Sequence, residues 1–172
     1  MKIKHLKTNR LFRILVILLL VVLNIGCDQL SKKAVRENMA YHQRIELFQD
    51  NFIITKVENT GAFLGMGAYL HPIWKNIFLL VMPSIALLLL LGYLLLNERF
   101  SKEIILGLSF IVGGGIGNLF DRIVYGSVTD FLFIDLGFFR TGIFNMADVS
   151  VMVGTVIIIM QTLINKKFIV RK

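Results

Sequence analysis

Four apolar runs, each close to the roughly 20 residues that a helix needs to cross a hydrocarbon core, constrain this chain more than any other feature. They lie at about residues 11–34, 73–96, 104–120 and 143–164. A chain of 172 residues with 56% hydrophobic residues and mean hydropathy +0.73 cannot hide that much apolar side chain in a water-soluble domain, because a small fold has too much surface for its volume. The expected fold class is an all-α membrane protein with four transmembrane helices, one polytopic domain over residues 1–172.

Charge orients the spans. Of the 19 Lys and Arg residues, set against 11 Asp and Glu, Lys2, Lys4, Lys7, Arg10 and Arg13 precede or enter the first run. Lys166, Lys167, Arg171 and Lys172 follow the last. This is the positive-inside pattern and not a phosphate-binding stripe, so no nucleic-acid partner is expected. Both termini and the short link at residues 97–103 are expected in the cytoplasm, with outer loops at about residues 35–72 and 122–142. The first of these holds two strand-like stretches, 44–48 and 52–57, with Asn51 in a turn between them. A small extracytoplasmic β element between helices 1 and 2 is expected there, with Tyr69 and Trp74 at the membrane interface.

The single cysteine, Cys27, allows no intrachain disulfide. It ends an Ile25-Gly26-Cys27 stretch like that of a cleavable lipoprotein signal. Asn24 stands where such a signal wants Leu, and three more spans follow, so the first helix is read as uncleaved and the thiol as packed. His5, His42 and His71 are scattered without metal-ligand spacing, and no metal is expected.

Polar groups at the edge of a hydrocarbon layer are costly, so they pair or they work. Asp28 and Lys32 end the first span; Asn118, Asp121 and Arg122 end the third; Asn145 and Asp148 open the fourth; Asp130 lies in the loop between the last two. In the topology above all of them fall near the outer face. Several admit a plain structural role: Asp28 and Lys32 form an i,i+4 ion pair, Asp121 and Arg122 an interfacial salt bridge, Asn145 a helix cap. Asp135 reads as a turn residue. Asp148 is different, because no basic residue within a helical turn neutralises it. The glycines at 113, 114, 115 and 117 let backbones approach and hold the third helix against its neighbours.

Five motifs then line up: Asp28-Gln29-Leu30-Ser31-Lys32, Asn59-Thr60-Gly61-Ala62-Phe63, Gly117-Asn118-Leu119-Phe120-Asp121-Arg122, Val128-Thr129-Asp130-Phe131 and Phe144-Asn145-Met146-Ala147-Asp148. In this order they resemble the bacterial signal peptidase II family of intramembrane aspartyl proteases, the lipoprotein signal peptidases. The second motif lacks the extra small residue that many members carry before the Phe, and residues before Leu11 and after Ile164 fall outside the resemblance. It implies that Asp130 and Asp148 are the catalytic aspartates. It places Asn118, Asp121, Arg122 and Asn145 in the polar shell, Asn59 and Gly61 in a substrate-facing loop, and Asp28 and Lys32 in a pair at the end of the first helix. Residues 63–74 would form a lid. The implied substrate is a diacylglyceryl-modified prolipoprotein cut just before its lipidated cysteine. The implied enzyme is a monomer in the bacterial cytoplasmic membrane, in contact with membrane lipids and without a cofactor. The rival class is an ion-coupled carrier using Asp121, Asp130 and Asp148. That reading wants polar residues along a path through the midplane, where the second helix offers almost none.

Overall fold

The computed structural model describes residues 9–47, 51–62 and 65–169; Lys2, Lys4, His5, Lys7, Phe48, Phe63, Arg171 and Lys172 lie outside them. Four helices are long and apolar enough to cross a membrane: α1 (Arg10–Asn38), α2 (Pro72–Leu96), α3 (Lys102–Tyr125) and α4 (Met146–Ile169). Three strands, β1 (Arg44–Leu47), β2 (Phe52–Asn59) and β3 (Val128–Ile134), form one antiparallel sheet in that order. The expected hairpin between the first two helices is present. It gains a third strand from the connection between α3 and α4, which sequence reading treated as loop.

α1 shows how the bundle packs. Its buried residues are Arg13, Ile17, Val21, Asn24, Asp28, Lys32 and Val35, a spacing of three and four that defines one helical face. In water that face would be the apolar one. Here four of the seven are polar or charged, while Leu15, Leu19 and Val22 lie exposed on the other side, as a lipid solvent demands. Cys27 is also exposed. It is not the packed thiol expected from sequence, because it falls off the buried stripe.

Glycines set the helix spacing. A Cβ on Gly113 would lie 2.6 Å from Asn24 Cβ, one on Gly117 2.5 Å from Asp28 Oδ2, and one on Gly114 would run into the Ala147 carbonyl. The small residues of α3 therefore bring α1 and α4 in on either side of it. α2 packs at the periphery, with Gly115 against Leu87. It carries a π turn at Ile77–Val81.

The helices alternate in direction. The start of α1 meets the end of α2 where Arg13 Nη2 donates to the carbonyls of Leu94 and Asn97, both at 2.6 Å. At the other end the sheet closes the bundle. β3 carries on from α3 after Gly126, whose φ of 74° ends the helix in the left-handed cap that glycine favours.

Three boundaries differ from expectation. α1 runs on to Asn38, where Lys56 Nζ caps its end by donating to the carbonyls of Arg36 and Met39 at 2.9 and 3.1 Å. α3 continues past residue 120 to Tyr125, so Asp121 and Arg122 lie within it and not in the outer loop. α4 starts at Met146 rather than 143, because Phe144 is drawn into a bridge with Leu132.

Candidate active site

The polar residues picked from sequence converge where α1, α3, the start of α4 and the sheet meet. They form two layers of different electrostatic character.

The lower layer is neutralised. Lys32 and Asp28 are fully buried, and their ion pair measures 2.8 Å. Lys32 Nζ also lies 3.1 Å from Asp121 Oδ2 and donates to Asn118 Oδ1 at 2.9 Å. An ammonium has three protons and this one has three acceptors, which is the condition for burying it. Asp28 Oδ1 accepts from the Ala147 backbone N–H at 2.8 Å, fixing the first turn of α4. Asp121 contacts Arg36 Nη2 at 2.8 Å and accepts from Gln29 Nε2 at 2.9 Å. Its other oxygen takes the Thr129 backbone N–H at 3.3 Å, which holds β3 against α3. Two carboxylates and two cations thus cancel inside the protein.

This overturns the local pairing of Asp121 with Arg122. Successive residues on a helix point about 100° apart, and the Arg122 guanidinium instead donates to the carbonyls of Gly61 (3.1 Å) and Asn118 (3.4 Å). It ties the Asn59 loop to α3.

The upper layer is not neutralised. Asp130, 4% exposed, stands opposite Val57 in the β2–β3 ladder, and Asn59 lies two residues along on the same face. Asn59 Nδ2 accordingly donates to Asp130 Oδ2 at 2.9 Å, while Asn59 Oδ1 accepts from the Gly61 N–H at 2.9 Å. A Cβ on Gly61 would come 2.6 Å from the backbone carbonyls of Gly65 and Met66, so this turn has room for glycine alone. Asp130 Oδ1 accepts from Asn145 Nδ2 at 2.6 Å.

Asn145 serves both carboxylates. Its backbone N–H donates to Asp148 Oδ2 at 3.1 Å, and its Oδ1 accepts from the Asp148 N–H at 3.0 Å. This reciprocal capping follows from their three-residue spacing at a helix start. Asn118 Nδ2 donates to Asp148 Oδ1 at 2.8 Å, and Asn118 Oδ1 accepts from Asn145 Nδ2 at 3.1 Å. Asp130 and Asp148 are thereby bridged by the amides of Asn145 and Asn118, and among the described residues neither has a salt-bridge partner. Burial pushes the Asp130 carboxyl up to about 6; the Asn59 and Asn145 hydrogen bonds pull the other way and the Asp148 charge adds to the rise.

Each of the ten sequence candidates (Asp28, Lys32, Asn59, Gly61, Asn118, Asp121, Arg122, Asp130, Asn145 and Asp148) makes at least one of these contacts. Asp135 stands apart. It accepts from the Gly137 N–H at 2.9 Å in a turn and pairs with Arg140 at 2.9 Å. Sequence reading carried Gln29 and Thr129 within its motifs without giving them a role, and passed over Arg36 and Glu58. Arg36 Nε donates to Thr129 Oγ1 at 2.8 Å and packs over the Tyr125 ring at 4.0 Å. Glu58 accepts the hydroxyls of Thr129 (2.8 Å) and Ser127 (2.6 Å). The four-residue step from Lys32, or the seven-residue step from Gln29, to Arg36 along one face of α1 was the available signal for that residue.

The class that fold and site define is a multi-pass membrane protein with two carboxylates held together at one end of its helix bundle, neither in a salt bridge among the described residues. Residues 18–164 match the family described as signal peptidase (SPase) II. The chain belongs to that family, and is accordingly a membrane-embedded bacterial protease and not an ion carrier. A lipoprotein signal peptidase of Clostridium tetani is 34% identical over 143 residues, covering 83% of this chain and 88% of that protein. One of Maridesulfovibrio salexigens is 37% identical over 145 residues, covering 84% and 93%. A solved structure described as a bacterial membrane enzyme superposes with a TM-score of 0.77 at 26% identity, over 88% of this chain and 89% of that one.

Proposed function

We propose that this chain is an aspartic endopeptidase that removes signal peptides from diacylglyceryl-modified prolipoproteins, cutting just before the lipidated cysteine. One observation carries the reading. The buried carboxylates Asp28 and Asp121 are matched by Lys32 and Arg36, whereas Asp130 and Asp148 share Asn145 as a hydrogen-bond partner, Asn59 completing the shell of the first and Asn118 that of the second, with N–H donors and no salt bridge among the described residues. Two neighbouring acids that no salt bridge neutralises share a proton, which is the starting state that acid–base hydrolysis requires.

Asp130, raised to about 6, is the acid that holds this proton. Asp148 is the base. It takes a proton from water as the oxygen attacks the scissile carbonyl carbon, while Asp130 gives its proton to the carbonyl oxygen. The proton on Asp148 then passes to the leaving nitrogen as the C–N bond breaks, and Asp130 regains its own. Asn118 and Asn145 hold the two carboxylates in register throughout. The Asn59–Gly61 turn, tied to α3 by Arg122, supports the substrate strand.

The enzyme works as a monomer in the cytoplasmic membrane, with both termini in the cytoplasm and the site at the outer face. There a lipid-anchored precursor presents its cleavage point by lateral diffusion. In nanodiscs, a diacylglyceryl-modified precursor should be cleaved and its unlipidated counterpart left intact. Asp130→Asn and Asp148→Asn should each abolish cleavage in folded protein, and Asp135→Asn should leave it within about twofold. Robust turnover by either of the first two removes that residue from the dyad.

A further inference from the structure

At the end of the bundle away from the sheet, the first turns of α1, the link between α2 and α3 and the first residues of α3 surround a cavity of about 900 Å³. Ligand sites commonly occupy roughly 300–1,000 Å³. This one is graded along the membrane normal. Its charged lining lies at helix ends and in the link: Arg10, Arg13, Arg99 and Lys102, with Glu98 and Glu103. Its apolar lining, Val16, Leu20 and Leu106, lies further along the spans, and Leu20 is about 15 Å from Arg10 at 1.5 Å per residue.

Four cations against two carboxylates leave a net charge of +2. The one pairing within this set, Arg10 to Glu98 at 3.5 Å, is solvent-exposed on both sides and weak. Arg13 is fixed. Its Nη2 holds the Leu94 and Asn97 carbonyls and Nη1 the Leu95 carbonyl at 3.2 Å, and the residue is only 9% exposed. Its Nε–H is sealed from solvent without an acceptor among the described residues, so Arg13 offers an occupant of the cavity its charge rather than a free donor.

We propose that this cavity binds one anionic phospholipid, its phosphodiester among Arg13, Arg99 and Lys102 and an acyl chain along Val16, Leu20 and Leu106. Charge decides between occupants. The segment before Asn9 carries Lys2, Lys4 and Lys7 and no acidic residue, so it is repelled by a basic cavity. A zwitterionic lipid brings no net charge to answer the +2. Basic pockets between transmembrane helices at a headgroup level suit anionic lipid. In the orientation proposed above, this is the inner leaflet.

Native mass spectrometry of the full-length protein, with phosphatidylglycerol and phosphatidylcholine of identical acyl chains, tests the site. The wild-type chain should retain one phosphatidylglycerol at least tenfold better than phosphatidylcholine. Arg99→Gln/Lys102→Gln should lose that preference by removing the headgroup partners, and Val16→Trp by filling the apolar wall. A charge-matched control, Lys33→Gln/Arg140→Gln, removes exposed cations near the sheet end and should keep it. Equal retention of the two lipids, or equal loss in the control, would make the attraction a general effect of net charge and overturn the proposal. Displacement by glycerol phosphate as effective as by the whole lipid would mean a bare anion site and overturn it too. So would binding that appears only after residues 1–8 are deleted, since that segment would then be the natural occupant.

Discussion

Replacing Asp130 by Asn should change how stability depends on pH. The buried carboxyl titrates at about 6 in the folded protein against 3.8 for the free side chain, so folding disfavours its charged form. Between these values the unfolded chain has released the proton while the folded chain still holds it. The folded state binds more protons, and stability must therefore fall as pH rises through this window. The full shift of roughly two units is worth about 3 kcal/mol at about 1.4 kcal/mol per unit. Of this, about 2 kcal/mol is lost between pH 4 and pH 7.5, because the unfolded carboxyl is already partly ionised at pH 4.

In Asp130→Asn the substituted amide has no proton to titrate. It also faces the Asn59 Nδ2 donor, and that mismatch costs about 1–3 kcal/mol, but the cost is the same at every pH. The difference in stability between variant and wild type therefore isolates the ionisation. It should move in the variant's favour by about 2 kcal/mol across the window, a relative gain in Tm of roughly 4–8 °C for a chain of this size. Thermal unfolding of both proteins in the same detergent at pH 4, 5, 6 and 7.5 measures it. Parallel Tm curves would refute the account, because Asp130 would then ionise in the fold as it does in water.

Activity offers a companion measurement: if Asp130 is the acid, kcat/KM of the free enzyme should decline above about pH 6, and a flat profile from pH 5 to 8 would count against that role. Lys32→Met leaves Asp28 and Asp121 buried with one cation fewer and should cost about 3–5 kcal/mol, read as a collapse in Tm or in yield of folded protein. Gly114→Ala sets a methyl against the Ala147 carbonyl, which is backbone and cannot rotate away. It should cost about 1–3 kcal/mol and push the first turn of α4, and Asp148 with it, off α3. Thr129→Val removes the hydroxyl that links Arg36 to Glu58 and should lower Tm by a few degrees, about 1 kcal/mol.

The spans were legible because their length is dictated by the bilayer and their composition by its polarity. Their ends were not, and Asp121 shows why. A charge beside an apolar run signals the membrane boundary only if it remains a charge. Asp121 is cancelled by Lys32 and Arg36, partners 89 and 85 positions away in the chain, so the helix runs on for another turn beneath it. The same sequence distance hid β3. Val128–Ile134 reads locally as β-rich, but its strand character depends on β2, which lies beyond two membrane spans. The ten residues that converge were legible through their motifs, Arg36 and Glu58 were not, and what no motif contains is the division of labour among the carboxylates. Asp28 pairs locally with Lys32, four residues on, and that much could be read. Whether Lys32 also served Asp121 or Asp130 was decided only when α1 packed against α3 through Gly113 and Gly117. With Lys32 committed to the lower layer by all three of its protons, none is left to hydrogen-bond Asp130. The structural ion cluster and the proposed reacting pair are two consequences of one packing event. A larger residue at 117 would disturb both, since its side chain meets Asp28 first.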